Sequence, residues 1–202
     1  MRVIQASLSI VGLLFLAACS SQPDTSSVQP NTDSNAQTTE APTETAAKEE
    51  DDSTQAMLND LVLVNANTGE SFTLADFQGK TVSIEVMSVT CSSCQKQHKN
   101  TVQAYQQLKD SDEYVFVSLS IDAGLPDAEL KQFAESEGYS WIFAVATPDM
   151  TRALDAQFGQ AAFSTANTPQ FTVLSDGSIS DLSTGFKEPE VLVSHLETAS
   201  AQ

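Results

Sequence analysis

Two cysteines separated by two serines are the residues in this chain best suited to chemistry. Cys91-Ser92-Ser93-Cys94 follows Thr81–Val89, a run rich in apolar and β-branched residues, and precedes a long polar helix candidate. A strand that delivers two thiols to the start of a helix is the setting in which Cys-x-x-Cys indicates redox chemistry. The helix N-terminus favours a thiolate at the first sulfur, and the second lies one turn on, within reach of a mixed disulfide. The spacing therefore predicts Cys91 as the nucleophile and Cys94 as the resolving thiol.

Two other interpretations of the cysteine pair stay open. A structural disulfide would restrain little of the unfolded chain, because it would close a loop over only two residues. A structural zinc site needs four ligands, and the chain has no second cysteine pair. The redox interpretation is favoured over both, so we expect no bound metal and no cofactor other than the Cys91–Cys94 disulfide itself.

The overall composition limits the domain count and the class of partner. The chain has 202 residues, with 9 Lys and Arg against 27 Asp and Glu, for a formal net charge of −18. One domain with extensions is the expectation at this length. Phosphate binding needs positive charge, so the acidic composition excludes a nucleic-acid partner.

Residues 1–18 have the pattern of a secretory signal peptide. A single positive charge at Arg2 precedes an apolar run whose core, Ile10–Leu16, is too short for a stable membrane anchor. Leu16-Ala17-Ala18-Cys19 resembles a bacterial lipobox, in which cleavage leaves the cysteine as the lipid-modified first residue. We therefore expect a lipoprotein, lipidated at Cys19 and anchored on the periplasmic side or at the cell surface. An ordinary secretory signal and an uncleaved anchor are the alternatives.

Residues 19–57 are predicted to form a disordered acidic tether. Ser20–Gln55 consists mainly of Ser, Thr, Pro, Ala, Asn and acidic residues, with almost no large apolar side chains. Such a segment cannot bury enough surface to offset the entropy lost on ordering. The composition changes at Leu58, so we expect the folded domain to span residues 58–202.

Strand and helix patterns alternate through this domain. Such an alternation predicts an α/β fold with crossover units and a largely parallel sheet that ends in an antiparallel pair. The predicted strands are Leu61–Asn65, Ser71–Leu74, Thr81–Val89, Tyr114–Ile121, Trp141–Val145, Gln170–Leu174 and Ser178–Ser183, and the predicted helices are Ser92–Lys109, Pro126–Glu137, Asp149–Phe158 and Glu188–Thr198.

The domain resembles the extracytoplasmic thioredoxin-fold proteins of the TlpA-like, or redoxin, group. Its landmarks are Phe72–Lys80, Cys91-Ser92-Ser93-Cys94 and Asn167–Gly177. The resemblance implies a thioredoxin-like fold, with helices flanking a mixed central sheet, an N-terminal hairpin and an inserted helix and strand. It also implies thiol–disulfide oxidoreductase activity. The chain departs from the group at Thr90, where tryptophan is usual, at Lys99, where a helix-kinking proline is usual, and in lacking a proline between the cysteines.

The resemblance implies a proton-transfer role for Glu85. This residue lies inside the central strand, where an ionised carboxylate would be costly without a partner. In thioredoxins a buried acid at this position relays protons to the resolving cysteine, here Cys94. The alternative is a carboxylate that turns toward water or makes a structural hydrogen bond.

A second implied feature is a cis peptide bond at Pro169 that faces the cysteines. It would turn the backbone of Thr168 toward the disulfide, where a free N–H and C=O could pair with an extended substrate. An ordinary trans turn is the alternative. The side chains nearest the thiols, Thr90, Ser92 and Ser93, are expected to contribute to the same substrate site.

Three aromatic or titratable residues outside the motif have mainly structural interpretations. His98 lies on the same helical face as Cys94, and we expect it to pack in the core. The alternative is a soft-metal site, for example for Cu(I), formed by both cysteines and His98. Trp141 is predicted at a half-buried surface, and His195 is predicted to be exposed.

The sequence therefore predicts a membrane-tethered thiol–disulfide oxidoreductase that acts on disulfides of partner proteins. We expect a monomer, recycled by a membrane electron donor or acceptor. A copper carrier of the Sco type is an alternative, although that family spaces its cysteines by three residues and adds a distant histidine. A thiol peroxidase related to peroxiredoxins is less favoured, because Pro-x-x-x-Thr-x-x-Cys does not precede Cys91.

Overall fold

A computed structural model describes residues 44–202 of the chain, with side chains from residue 52 onward. The predicted signal peptide, Cys19 and the first part of the predicted tether lie outside the described residues. No helix in the described part is long and apolar enough to cross a membrane. The elements there are α1 Glu44–Asp60, β1 Leu63–Val64, β2 Ser71–Phe72, β3 Thr81–Met87, α2 Ser92–Leu108, β4 Tyr114–Ser120, α3 Asp127–Glu137, β5 Ile142–Val145, α4 Pro148–Phe158, β6 Gln170–Val173 and α5 Pro189–Ser200.

Four strands form the central sheet, in the order β5-β4-β3-β6. β3, β4 and β5 run parallel, and β6 pairs antiparallel with β3. β1 and β2 form a separate antiparallel hairpin, and α3 with β5 is the insertion expected after β4. The predicted thioredoxin-like α/β fold is therefore confirmed.

Alternation along β3 separates two cores, one on each face of the sheet. Val82, Ile84 and Val86 belong to a cluster that includes apolar residues of α1 and α4. The residues between them point to the opposite face, which is covered by α2, α3 and α5 and contains the buried Met87 and Glu85. Glu85 pairs in register with Ser118 of β4 and with Gln170 of β6. A polar row thus crosses the middle of the sheet beneath α2.

α1 begins upstream of the boundary predicted at Leu58. The tether predicted from the sequence is wrong over residues 44–57, which are helical. Leu58 is fully buried, the Ile179 N–H donates to the Gln55 side chain over 3.1 Å, and Asn59 donates to the Gly177 carbonyl over 2.7 Å. The low hydrophobicity of this segment therefore did not indicate disorder. The segment is free of Gly and Pro and rich in Ala and Glu, which favour a helix once one end is packed.

The C-terminal hairpin forms only in part. β6 ends at Val173, and the returning segment makes just two isolated bridges to it, Gln170 with Ser183 and Val173 with Ile179. Between these bridges the Thr172 N–H donates to the Ser180 hydroxyl over 2.9 Å. A side chain thus takes the place of a backbone acceptor at this point, and the returning segment is not a regular second strand.

Candidate active site

The two cysteines form a disulfide at the N-terminus of α2, as the spacing predicts. Cys91 is the N-cap residue of this helix, and its sulfur accepts a hydrogen bond from the Cys94 N–H over 3.1 Å. Such an N–H stabilises a thiolate on the capping sulfur when the disulfide is reduced. Cys94 is fully buried, whereas Cys91 is partly exposed. Only the first sulfur is therefore open to a protein-sized partner.

A backbone carbonyl contacts both sulfurs. The Thr165 oxygen lies 3.4 Å from Cys91 Sγ and 3.4 Å from Cys94 Sγ. It belongs to a short 3₁₀ turn, Thr165–Asn167, which follows a second 3₁₀ turn after α4. Sequence reasoning missed this residue, because a carbonyl carries no side-chain signal.

The Thr168–Pro169 corner follows that turn directly. The Val86 N–H donates to the Pro169 carbonyl over 3.0 Å, which holds the corner against the end of β3. Thr168 does not present a free N–H, contrary to the prediction, since this group donates to the Thr165 carbonyl over 2.9 Å. The reason is local geometry: with φ 45° and ψ 61°, Thr168 closes the 3₁₀ turn in the left-handed region. The cis isomer at Pro169 stays a prediction.

Asp122 braces the loop that leads into the cysteines. Its carboxylate accepts hydrogen bonds from the Ser88 hydroxyl over 2.7 Å, the Val89 N–H over 2.8 Å and the Ser120 hydroxyl over 2.9 Å. The Ser88 carbonyl in turn accepts from the Cys91 N–H over 3.1 Å. Sequence reasoning missed Asp122, which follows a different strand.

The three small polar residues assigned to the substrate site are neighbours of Cys91 in the chain. Thr90 is exposed and bonds locally to Ser88, its hydroxyl lying 3.1 Å from the Ser88 hydroxyl. Ser92 is exposed and Ser93 half-buried in the first turn of α2. The structure thus brings these residues to the mouth of the redox site, and their contact with substrate stays a prediction.

Glu85 is buried beneath α2, as expected for the central strand. It is 4% exposed, and its carboxyl lies 3.4 Å from Thr101 Oγ1 and 3.5 Å from His98 Nε2. Burial raises the pKa of Glu85 to about 8, and the Thr101 hydroxyl and the Lys187 charge oppose this shift only in part. The carboxyl is therefore poised to take up or release a proton near neutral pH.

His98 packs in the core, which confirms the structural interpretation. It is fully buried, and burial lowers its pKa to about 4. Rings from four aromatic residues surround it: Phe133, Tyr139, Trp141 and Phe143. The prediction for Trp141 is wrong: it is 4% exposed, because its indole N–H finds a buried acceptor at Ser118 Oγ, 2.9 Å away. No three His, Cys, Asp or Glu side chains among the described residues are grouped to hold a metal ion.

An exposed phenylalanine lies on a firmly held loop beside the site. Gly185 donates its N–H to the Asn167 carbonyl over 2.7 Å. Two residues on, the Lys187 N–H donates to Gln97 Oε1 over 2.8 Å, and Gln97 Nε2 donates back to the Lys187 carbonyl over 3.1 Å. Phe186, between these anchors, is 53% exposed. The loop is thus fixed to the 3₁₀ turn that contacts the sulfurs and to α2 one turn beyond Cys94.

Comparisons with known proteins agree with this geometry. The family model described as Redoxin matches residues 33–199. A search of curated proteins finds no match. Among similar solved structures is a thiol:disulfide interchange protein of the thioredoxin family from Chlorobium tepidum TLS, with a TM-score of 0.56, 18% identity, and coverage of 69% of this chain and 92% of that chain. A thiol-disulfide isomerase from Corynebacterium glutamicum has a TM-score of 0.54 and 18% identity, covering 67% of this chain and 90% of that one.

A third similar structure relates to the copper-carrier alternative. BsSco, a member of the Sco family of cytochrome c oxidase assembly proteins, has a TM-score of 0.57 and 17% identity, covering 70% of this chain and 91% of that chain. At such identities the likeness concerns the fold. The family match covers most of the chain and includes the Cys91–Cys94 disulfide, so the chain belongs to the Redoxin family and is a thioredoxin-like thiol–disulfide oxidoreductase.

Proposed function

We propose that this protein reduces, or exchanges, disulfide bonds of partner proteins outside the cytoplasm while tethered to a membrane. The observation that carries the proposal is the asymmetry of the disulfide. Cys91 is accessible at the helix N-terminus, and Cys94 is buried beneath it. This arrangement suits an attacking sulfur and a resolving sulfur.

The reaction proceeds by two exchanges. The Cys91 thiolate attacks one sulfur of the partner disulfide; that S–S bond breaks, and the departing partner thiolate takes a proton from water. Cys94 then loses its proton to the buried Glu85 carboxylate and attacks the Cys91 sulfur of the mixed disulfide. The second partner thiolate leaves and is protonated. The partner has gained two electrons and two protons, and Cys91–Cys94 has become the disulfide; the reverse sequence oxidises a partner.

The neighbouring backbone suits a polypeptide substrate. The Thr165 carbonyl contacts both sulfurs, the Thr168–Pro169 corner follows the same turn, and the exposed Phe186 lies on a loop that is hydrogen-bonded to that turn. A partner segment bound in an extended conformation would place its cysteine at Cys91 and an apolar side chain on Phe186.

The membrane tether rests on the sequence. Lipidation at Cys19 of the Leu16–Cys19 motif would anchor the chain on the extracytoplasmic side. A separate membrane donor or acceptor would recycle the disulfide. Labelling with a radioactive fatty acid in a bacterial host tests this part: label should enter the wild type and be lost in Cys19→Ser.

Two variants, each of which lacks one of the two active-site cysteines, test the redox chemistry. Cys91→Ser should abolish reduction of insulin disulfides. Cys94→Ser should instead accumulate mixed disulfides, visible as thiol-sensitive bands on non-reducing gels. Each variant is the control for the other, because each removes one sulfur of the same bond. Full activity in Cys91→Ser would overturn the proposal.

Copper carriage is the second candidate, because BsSco shares the fold. Two features weaken it: the cysteines are separated by two residues, and His195, the histidine remote from the pair in sequence, is exposed on α5. Titration of the reduced protein with Cu(I) decides the matter. Stoichiometric, tight binding that is lost in His98→Ala would favour a carrier.

A further inference from the structure

One ring nitrogen of His98 makes no hydrogen bond with any described residue, although His98 lies in the core, where polar atoms are expected to be hydrogen-bonded. The residue is fully buried, and its Nδ1 has no hydrogen-bond partner within the described part of the chain. Its other nitrogen, Nε2, lies 3.5 Å from Glu85 Oε1 and 3.3 Å from Ser118 Oγ. A buried, unpaired ring nitrogen is costly, and such exceptions call for an explanation.

The position of His98 suggests one. It follows Cys94 by four residues on α2, so the two side chains share one face of the helix. Side chains on a helix lean toward its N-terminus, which directs the imidazole toward the turn that carries Cys94. Glu85 contacts α2 further toward its C-terminus, at His98 and Thr101. Along this face of α2, His98 therefore follows Cys94 by one turn and is itself in contact with the buried carboxyl.

We propose that His98 is the relay residue that carries the proton from Cys94 to Glu85. The inference rests on the proposed function and adds a step to it. The Cys94 S–H gives its proton to Nδ1 of His98, while the Nε2–H gives its proton to the Glu85 carboxylate. The products are a Cys94 thiolate, a neutral imidazole protonated on Nδ1, and a neutral carboxylic acid. One proton has entered and one has left the ring, so charge and atoms balance.

Ser118 can support both forms of the ring. Its oxygen accepts the Trp141 indole N–H over 2.9 Å and retains a rotatable proton of its own. When His98 carries its proton on Nε2, this N–H can donate a hydrogen bond to the Ser118 oxygen. When the proton is on Nδ1, the Ser118 hydroxyl can donate to the bare Nε2. The exchange of tautomers therefore leaves Nε2 with a partner on either side of the transfer.

The surroundings of the His98 ring favour proton transfer through a neutral imidazole over a protonated, positively charged one. The aromatic cage disfavours an imidazolium, in line with the pKa of about 4 for His98. Both tautomers of the relay are neutral, so the transfer never requires the charged form. The other titratable groups near the pair are Lys187, which acts on Glu85, and Tyr139, whose pKa burial raises to about 12.

A single-turnover experiment isolates the step. Cys91 of the full chain is linked to glutathione, and release of glutathione by Cys94 is followed from pH 5 to pH 10. In His98→Leu, which fills the cage, and in His98→Gln, which is polar but has no second tautomer, release at neutral pH should slow by about 10²-fold. The rate should then rise in proportion to hydroxide, because solvent must remove the Cys94 proton. The initial attack of Cys91 on oxidised glutathione should be unchanged.

A double variant shows whether the two residues act in one path. Glu85→Gln should give the same profile, and adding His98→Leu to it should cause no further loss. If folded His98→Leu and His98→Gln both keep the wild-type profile, the relay is wrong and the ring only fills space. The preloaded disulfide needs no partner protein, so this result is independent of whether the wild type reduces insulin, on which the proposed function depends.

Discussion

The carbonyl oxygen of Thr165 lies 3.4 Å from the sulfur of Cys91. In the disulfide the Cys91 sulfur carries no hydrogen, so this contact is not a hydrogen bond. After reduction the Cys91 thiol can donate a hydrogen bond to the same oxygen. The carbonyl dipole also opposes a thiolate there, whereas the Cys94 N–H favours one. The redox pair thus lies between a donor on the helix and an acceptor on the facing turn, and both contribute to its reactivity.

Thr168→Gly should stabilise the fold. Thr168 has a left-handed backbone at φ 45°, and its buried hydroxyl has no partner in the described part of the chain. Removing this strain and the unpaired hydroxyl outweighs the extra freedom of glycine in the unfolded chain, and we expect a gain of about 1 kcal/mol. Urea unfolding measures it. Thr168→Ala, which keeps the strain, should gain less; a loss of stability in the glycine variant would contradict this account.

Asp122→Ala should lower activity by loosening the loop before Cys91. The change removes the acceptor of three hydrogen bonds, from Ser88, Val89 and Ser120. We expect a loss of about 1–3 kcal/mol in stability, accompanied by slower attack on oxidised glutathione. Asp122→Asn retains the shape and one acceptor oxygen and should recover part of both. Unaltered kinetics in a folded alanine variant would remove Asp122 from the site.

Phe186→Ser should weaken the reaction with protein disulfides and spare small ones. If a partner's apolar side chain packs on this ring, its loss should raise KM for insulin by roughly tenfold. The rate with oxidised glutathione and the reduction potential should stay constant, because thiol–disulfide exchange with a small molecule does not use this ring.

Val191 supplies the matched control for that experiment. It is 54% exposed, against 53% for Phe186, but lies on α5 rather than on the loop fixed to the active-site turn. Val191→Ser should leave KM for insulin unchanged. Equal effects of the two substitutions would point to general surface hydrophobicity and away from a specific contact.

Stability should depend on pH through two buried groups with opposite signs. The pKa of Glu85 is raised from 4.5 to about 8, so its neutral form favours the folded state, and stability falls as pH rises from about 4.5 to 8. The pKa of His98 is lowered from 6.5 to about 4, so stability falls as pH drops from about 6.5 to 4. The two trends oppose each other near pH 5–6, and Glu85 alone acts above about pH 6.5.

Glu85→Gln separates the two contributions. Its free energy of unfolding should be level from pH 6.5 to pH 9, whereas that of the wild type should decline, by at most about 2 kcal/mol over this range. Urea unfolding at each pH provides the comparison. Parallel curves for the two proteins would show that Glu85 does not titrate in this range.

The elements that carry strong periodic patterns could be predicted from the sequence. β3, α2 and β4 begin at the predicted residues and end within two residues of the predicted ends, because apolar alternation and the cysteine N-cap define them locally. α1 was missed because its stability comes from packing of Leu58 and from hydrogen bonds to a turn more than a hundred residues away.

The site shows the same division. The cysteines carry chemistry in their side chains, so their type and spacing identify them, and the burial of Glu85 follows from its place in an apolar strand. Thr165 acts through its backbone, and Asp122 through contacts with a loop that precedes it by more than 30 residues. Such contributions depend on where the chain folds back, and a local pattern does not contain that information.

The placement of the chain's single tryptophan has a practical consequence. Trp141 donates to Ser118, and its ring centre lies 5.9 Å from that of His98. Its fluorescence therefore comes from one indole in direct contact with Ser118 and His98 beneath the helix. The molecule contains a built-in optical probe, whose emission should follow each turnover in real time without any added label.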